Sequence, residues 1–564
     1  MINLELARIF AQMAEILEFL GDPKDKFKIR ALSNVSIALG DVNEDLMKMA
    51  AEKRLREIKG VGEGIAAKIE EYIKTGKVGE FELLKKTIPS GFFEMLSIPS
   101  LGPKKVRALN SALNIKTVTE LKKAIEEGKV QALPGFGEKS AKNILEGMKI
   151  KSGTRRPIGD VFPYVQVVID VLEKCPHVTK VVPAGSFRRF EETIGDIDIL
   201  ATGKDPKKII SYFTKQSFVK KILAEGETKT SIITGDGLQI DLRVVSPEQF
   251  GSALQYFTGS KLHNVHLRTF AKNRGYKLSE YGFFKGEKLV ASKTEEDCYA
   301  SLGMQYIPPE LRTDTGEIEA AFKHELPKLL ELHDIKGDLH AHSLWSDGKN
   351  SIAEMAGRAH ELGYEYIAIT DHSPHLTVAR GLSIEKLKEK KHEIEKLNEK
   401  SPIKILFGTE VDILDGGKMD YPDEVLKLFD VVVASIHSKF NQDNTDRLLA
   451  AMQNPFVHII GHPSGRLIGQ RNPYPLDYLK LFKCASETGT VIEINAHYMR
   501  LDLQDIYIRE AKRWKCRFSI GSDAHSLGGL SLMEIGVKWA RRGWAVKEDI
   551  INTHSLKKLQ LTLK

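Results

Sequence analysis

The chain has 564 residues, more than one hydrophobic core usually serves, so several domains are expected. Its 42% hydrophobic and 28% charged residues argue against disorder, collagen-like repeats and membrane spans, while a net charge of +7 suits a polyanionic partner without identifying one. The four cysteines, Cys175, Cys298, Cys484 and Cys516, stand far apart with no CxxC pair, which argues against a disulfide framework or a zinc ribbon and fits a reducing compartment.

The opening segment MINLELARIFAQMAEILEFLGD places apolar residues at helical spacing and interrupts them with Glu5, Arg8, Glu15 and Glu18. It reads as a folded first helix and not as a secretory signal. No apolar run approaches the roughly 18 residues that would cross a bilayer, so a cytoplasmic protein without membrane partners is expected.

Three segments of the first 150 residues then repeat one design, an apolar residue, a glycine turn and a short amphipathic helix. They are LREIKGVGEGIAAKI with Gly60, Gly62 and Gly64, SIPSLGPKKVRAL with Gly102, and ALPGFGEKSAKNI with Gly135 and Gly137. Glycine lets the chain turn sharply and aim the free N–H groups of the next helix at a phosphate oxygen. Lys104, Lys105, Lys139 and Lys142 follow two of these turns and supply charge for phosphates. One such turn alone would be read as a plain helix-helix connection; the repetition favours sequence-independent DNA binding. These segments resemble helix-hairpin-helix elements, in a first unit over residues 1–85 and a second over 86–150. The first unit also resembles the lyase domain of the family X DNA polymerases. That resemblance puts Lys68 where the family has its Schiff-base lysine, an amine that attacks a sugar aldehyde. The upstream segment FKIRALSNVSIAL departs from the family's basic phosphate pocket at Ser33 and Asn34, which favours reading Lys68 as a surface lysine contacting phosphate over a lyase nucleophile.

Residues 151–250 carry VTKVVPAGSFRRFEETIGDIDILATG, in which Asp196 and Asp198 alternate with Ile197 and Ile199. The alternation predicts a half-buried strand with both carboxylates on one face. Asp241 in LQIDLRVV alternates in the same way and predicts a neighbouring strand. Three carboxylates make a site for two Mg2+ or Mn2+ ions and for nucleotidyl transfer. Gly185 and Ser186, with Arg188 or Arg189, are positioned to hold a triphosphate through N–H groups, a hydroxyl and charge. A DxD pair by itself also suits a solvated strand edge or another nucleotidyltransferase.

The segment YFTGSKLHNVHLR, within residues 251–315, resembles the part of family X polymerases that lines the incoming nucleotide. By that resemblance Tyr256 and Phe257 form the sugar-selective wall, Gly259 belongs to the same nucleotide-binding turn, Asn264 approaches the base, and Arg268 contacts the template. Phe190 replaces a family glycine after the double arginine, and Gln239 replaces an arginine near the third aspartate.

From about 307 to 336 the chain has prolines, charges and one possible helix, and residues 316–335 read as a linker. From 336 to 564 short apolar runs alternate with helical stretches, as in a βα-barrel. The runs end at His340 and His342, Asp371 and His372, Glu410, His437, His462, Glu493 and Asn495, and Asp523 and His525. Loops after parallel strands converge on one face of a barrel, so these residues are expected to meet in a multinuclear metal site. Imidazole and carboxylate together suit Mn2+, Zn2+ or Fe, and the sequence does not choose among them. These motifs resemble the PHP (polymerase and histidinol phosphatase) family, which assigns its metal ligands to His340, His342, Asp347, His372, Glu410, His437, His462, Asp523 and His525. By contrast, His375, His392 and His458 read as ordinary core or surface histidines.

The expected fold is multidomain α+β and α/β: helical helix-hairpin-helix domains, a nucleotidyltransferase palm with a mixed sheet, and a distorted (β/α)7 PHP barrel. The resemblance implies a repair polymerase that fills short gaps, with a metal-dependent 3'-5' exonuclease and an AP endonuclease or 3'-phosphodiesterase activity. Gapped or nicked DNA and deoxynucleoside triphosphates are its expected partners, and the expected state is monomeric. The alternatives are a polymerase whose barrel is only a structural brace, a DNA-binding scaffold with one vestigial site, and a small-molecule phosphatase.

Overall fold

A computed structural model describes residues 2–41, 46–58, 60–96, 98, 101–138, 141, 144–145 and 155–563. The first helix, Ile2–Leu20, buries Leu6, Phe10, Met13 and Leu17, the one face that its apolar spacing defines. It packs with helices Lys26–Asp41, Glu63–Thr75 and Pro103–Leu113 around a separate core that also contains Ile69, Phe92 and Val106. Helix Val118–Glu126 begins with a capping box between Thr117 and Glu120.

Seven strands follow: β1 (Arg156–Pro157), β2 (Val178–Pro183), β3 (Thr193–Ile194), β4 (Asp196–Gly203), β5 (Val219–Glu225), β6 (Lys229–Thr234) and β7 (Gln239–Val245). β1 pairs with β3, and the others form a mixed sheet in the order β2-β4-β7-β6-β5, with β4 parallel to β7 and the remaining pairs antiparallel. Along β7 the burial alternates, with Ile240, Leu242 and Val244 inward and Gln239, Asp241 and Arg243 toward the other face.

Helices Phe250–Thr258 and Lys261–Lys272 meet at Gly259 and Ser260. A small antiparallel sheet of β8 (Tyr276–Ser279), β9 (Gly282–Lys285) and β10 (Lys288–Ala291) comes next. Glu295 accepts from Arg188 of the preceding unit at 2.6 Å and from the fully buried Arg312 at 2.6 Å. The segment read as a linker is packed: helix Glu317–Lys323 buries Glu317, Ile318 and Ala321, and Leu330 is also buried.

The last seven strands are β11 (Gly337–Ala341), β12 (Tyr366–Ile369), β13 (Lys404–Asp412), β14 (Val431–Ser435), β15 (Ile459–Ile460), β16 (Val491–Asn495) and β17 (Phe518–Gly521). They are parallel and pair in chain order. Hydrogen bonds from Asp523 N to His340 O and from His342 N to Ala524 O, each 2.9 Å, bring the two ends of the sheet together. β11, β14 and β16 are buried at every residue, because helices cover one face and the barrel interior the other. One continuous cluster of buried apolar side chains runs from Ile158, Val165 and Leu242 in the palm to Ile369, Val432 and Ile494 in the barrel. No helix among the described residues is long and apolar enough to cross a membrane.

Candidate active sites

Parallel pairing of β4 and β7 puts Asp198 directly opposite Asp241 and Asp196 opposite Gln239, so the carboxylates project from one face of the sheet. A cleft of about 430 Å³ opens there. Gly185, Ser186, Arg189, Asp196, Asp198, Tyr256, Phe257, Gly259, Asn264 and Arg268 line it, together with two residues not expected there, Arg155 and Lys261. Lys261 directly follows the Gly259–Ser260 turn, and its place in that basic motif was the available signal. Burial, then repulsion from Asp196 and Asp241, pushes the Asp198 carboxyl up to about 7. Burial and Asp241 raise Asp196 as well. Crowded carboxylates that resist ionisation together fit divalent cations, which would relieve that repulsion.

Gly185 is required by close approach: it has φ +58°, and a Cβ there would lie 2.0 Å from an Asp198 carboxylate oxygen. Arg188 is not free to hold a triphosphate, because Glu295 and the Thr258 hydroxyl take its guanidinium. Arg189 lines the cleft, and its Nη1 donates to the Thr258 carbonyl at 2.5 Å. Phe190 adopts φ 59°, the left-handed region that favours glycine, so the turn keeps its shape at a cost of about 1–2 kcal/mol. Gln239 Nε2 donates to Asp241 Oδ1 at 3.0 Å, a neutral donor in place of the family's arginine. Tyr256 and Phe257 stand edge to face at 5.1 Å, and the Arg243 guanidinium covers the Phe257 ring at 4.4 Å. Asn264 is held by donation to the Tyr256 carbonyl and by the amide of Gln255, at 2.7 and 2.8 Å. Arg268 Nε donates to Asn264 O at 3.2 Å.

In the helical part, Gly62 and Gly102 are the N-caps of Glu63–Thr75 and Pro103–Leu113. Gly60 and Gly135 have φ +88° and +84°, the sharp turns that the repeat requires. Among the described residues nothing lies within 4 Å of a Cβ built on Gly62, Gly64, Gly102, Gly135 or Gly137. Lys104 extends into solvent near Glu18 at 3.7 Å. The Lys68 amine lies 3.1 Å from Glu80, which also pairs with Lys28 at 2.5 Å. Lys139 and Lys142 lie outside the described residues.

At the C-terminal ends of β11–β17 the proposed ligands converge. His342, Asp347, His372 and His525 form one group, His340, His342 and Asp523 a second, and His372, Glu410 and His437 a third; the ligand atoms of each group lie within 4.8 Å of one another. His342 and His372 each belong to two groups. Glu410 is central, with carboxylate oxygens 3.0 Å from His462, 3.1 Å from His372 and 3.4 Å from both His340 and His437. Among the described residues His340 Nε2, both ring nitrogens of His342, His372 Nδ1 and His462 Nδ1 are buried without a hydrogen-bond partner, which is the condition a metal ion would satisfy. Burial opposes charge on His437 and His525, yet the neighbouring carboxylates outweigh it and lift each to about 9. Burial takes His372 down to about 4.

A surrounding layer orients these rings. Glu493 accepts from His340 Nδ1 at 2.6 Å and from the His462 backbone N–H at 2.5 Å, and Asp412 faces His437 Nδ1 at 3.0 Å. Asn495 donates to Glu493 and Asp523 at 3.1 and 3.2 Å. Asp371, although at a strand end, turns away from the cluster onto Lys390, Ser343 and Ser346. His458 Nδ1 accepts from the Val432 N–H at 2.9 Å, a core role.

The chain matches family models described as a helix-hairpin-helix domain over residues 1–78, a SAM-like helix-hairpin-helix tandem over 92–149, a DNA polymerase beta thumb over 253–313, and a PHP domain over 338–497. It is 39% identical over 570 residues to the DNA polymerase/3'-5' exonuclease PolX of Bacillus subtilis (strain 168), covering 99% of each chain. The chain belongs to the PolX family. Its barrel alone is similar to smaller proteins: 38% of the chain is 31% identical to 89% of a probable phosphatase of Thermoanaerobacter sp. (strain X514). A match over 33% of the chain, at 34% identity, covers 75% of a probable phosphatase of Caldanaerobacter subterraneus. In this PolX chain, therefore, a palm and thumb unit continues into a barrel that relatives carry as a separate protein.

Proposed function

We propose that the chain is a DNA polymerase that fills short gaps during base excision repair and trims 3' ends with its barrel. The observation that carries this reading is the convergence of Asp196, Asp198, Tyr256, Phe257, Asn264 and Arg268 on one cleft, beside the register that sets Asp241 against Asp198. Asp196, Asp198 and Asp241 would hold Mg2+ or Mn2+, and the ion would supply charge neutralisation for a triphosphate and acidity for a primer hydroxyl. Gly185, Ser186 and Arg189 bind the triphosphate. Phe257 and Tyr256 meet the sugar, Asn264 the base, and Arg268 the template strand.

The units at 1–85 and 86–150 hold duplex on either side of the gap through the N–H groups at Gly60, Gly62, Gly64, Gly102, Gly135 and Gly137 and through Lys104. The palm (151–250), the nucleotide- and template-contacting unit (251–315), the connector (316–335) and the barrel (336–564) complete the domain plan. The barrel's His340, His342, Asp347, His372, Glu410, His437, His462, Asp523 and His525 would hold Mn2+, Zn2+ or Fe, and such ions would supply Lewis acidity toward a phosphodiester. Glu493 and Asp412 fix the faces of the His340 and His437 rings. This site acts as a 3'-5' exonuclease and on abasic or blocked 3' ends, and the protein works as a monomer in the cytoplasm. Lys68, paired with Glu80 at 3.1 Å, serves the DNA backbone.

The test is a 5'-labelled primer annealed to a gapped template, incubated with Mn2+ in the presence and absence of deoxynucleotides. Extension with nucleotides and shortening without them is expected. Absence of extension overturns the assignment of the palm carboxylates, and absence of shortening reduces the barrel to a brace.

A further inference from the structure

The loop carrying Arg189 is held from the far domain. Arg542, the last residue of helix Met533–Arg542 and almost wholly buried, donates from Nη1 to the Arg189 carbonyl at 2.6 Å and from Nε to Asp505 at 2.9 Å. Its Nη2 lies 3.5 Å from one oxygen of Glu191, while the other oxygen of Glu191 lies 3.5 Å from Arg189 Nη2. Arg189 in turn donates to the Thr258 carbonyl, next to the Gly259 turn of the cleft. A second barrel arginine, Arg466, reaches Glu192 at 2.7 Å and anchors itself on the carbonyls of Arg500 and Leu501. Helix Ile158–Glu173 also meets the barrel so closely that a Cβ on Gly159 would lie 2.0 Å from the Tyr498 ring.

Such a fork on a backbone carbonyl does more than hold two domains together. It fixes where the Arg189 peptide lies, and hence where Arg189 and the Gly259 turn face the cleft. A planar guanidinium bonded on three sides has one position, whereas a lysine ammonium in the same place reaches fewer partners. We propose that Arg542 is a positioning residue for the nucleotide site: the phosphoesterase barrel sets the affinity of the palm for the incoming triphosphate. This rests on the reading of the palm cleft as the nucleotide site.

The experiment compares full-length wild type, Arg542→Gln, Arg542→Lys and Glu191→Gln in single-nucleotide gap extension, measuring KM for the deoxynucleotide and kcat separately, with Mn2+-dependent 3'-end cleavage assayed in parallel. The expected result is a KM raised about tenfold in Arg542→Gln with kcat within about twofold, and cleavage unchanged. A smaller rise is expected in Arg542→Lys and Glu191→Gln. Unchanged KM in Arg542→Gln overturns the proposal, as does a parallel fall of kcat, cleavage and melting temperature, which would mark a merely structural role. If the glutamine variant does not fold, Arg542→Lys, which keeps a buried cation, decides in the same way. Wild type that fails to extend overturns the nucleotide assignment itself, so the two failures are distinguishable.

Discussion

Lys390 Nζ lies 2.9 Å from the Asp371 carboxylate, and neither side chain reaches water. The amine also donates to the Ile369 and Gly408 carbonyls at 2.9 and 3.0 Å, tying together β12 and β13. Asp371 accepts from the Ser343 N–H and hydroxyl and from the Ser346 hydroxyl, between 2.7 and 2.8 Å, and so holds the loop between His342 and Asp347. Replacing Lys390 with Met strands a buried carboxylate. The expected loss is about 3–5 kcal/mol, read as a lower melting temperature of the barrel together with weaker Mn2+ binding by calorimetry. A variant as stable as wild type would mean that water relieves Asp371.

Asp241→Asn keeps the size and the strand pairing of the residue but removes a negative charge from the face it shares with Asp198. Primer extension should fall by at least about 1000-fold, the scale expected when charge stabilisation of the transition state is lost. Cleavage of the 3' end should persist at the wild-type rate, since the barrel groups are elsewhere. Extension at near wild-type speed would rule out Asp241 as a metal ligand.

Glu410 stands among His340, His342, His372, His437 and His462, with each separation between 3.0 and 3.6 Å. Glu410→Gln should abolish Mn2+-dependent shortening and leave extension intact. It should also remove the rise in melting temperature that Mn2+ gives the wild type, a stabilisation of about 2.7 kcal/mol when the metal is at 100 times its Kd. Continued cleavage with the stabilisation lost would place the nuclease outside the barrel.

The Glu295 carboxyl is 4% exposed, and burial opposes its charge, but Arg312 and Arg188 outweigh burial and hold it at about 2. A carboxyl held below its ordinary value of 4.5 stabilises the fold above that pH, and the contribution disappears as pH falls from about 4.5 toward 2. Glu295→Gln should therefore lower the melting temperature at pH 7 and flatten its decline across that acid window. An acid slope identical to that of wild type would show that the ion pair does not set the acid sensitivity.

The local pattern was sufficient for each element that carries chemistry. Asp196-Ile197-Asp198-Ile199 specifies a strand face because a strand repeats every two residues, and the apolar runs ending in His340, His372, His437 and His462 specify parallel strands with loops on one side. Pairing between distant elements decided the rest. Arg188 and Arg189 are equivalent in sequence, yet Glu295, 107 residues away, takes the first and leaves the second on the cleft. Asp371 and His372 are neighbours at one strand end, and the buried amine of Lys390 turns the carboxylate away while the ring faces Glu410. Asp412 and Arg542 likewise have no sequence signature of their roles, and the strand-end Glu493 is turned to orienting His340, because a charge buried in low dielectric is directed by whichever partner the folded chain brings within about 3 Å of it. The types of element and of chemistry are written in short-range periodicity; which side chain serves substrate and which serves the fold depends on contacts that only the tertiary structure creates.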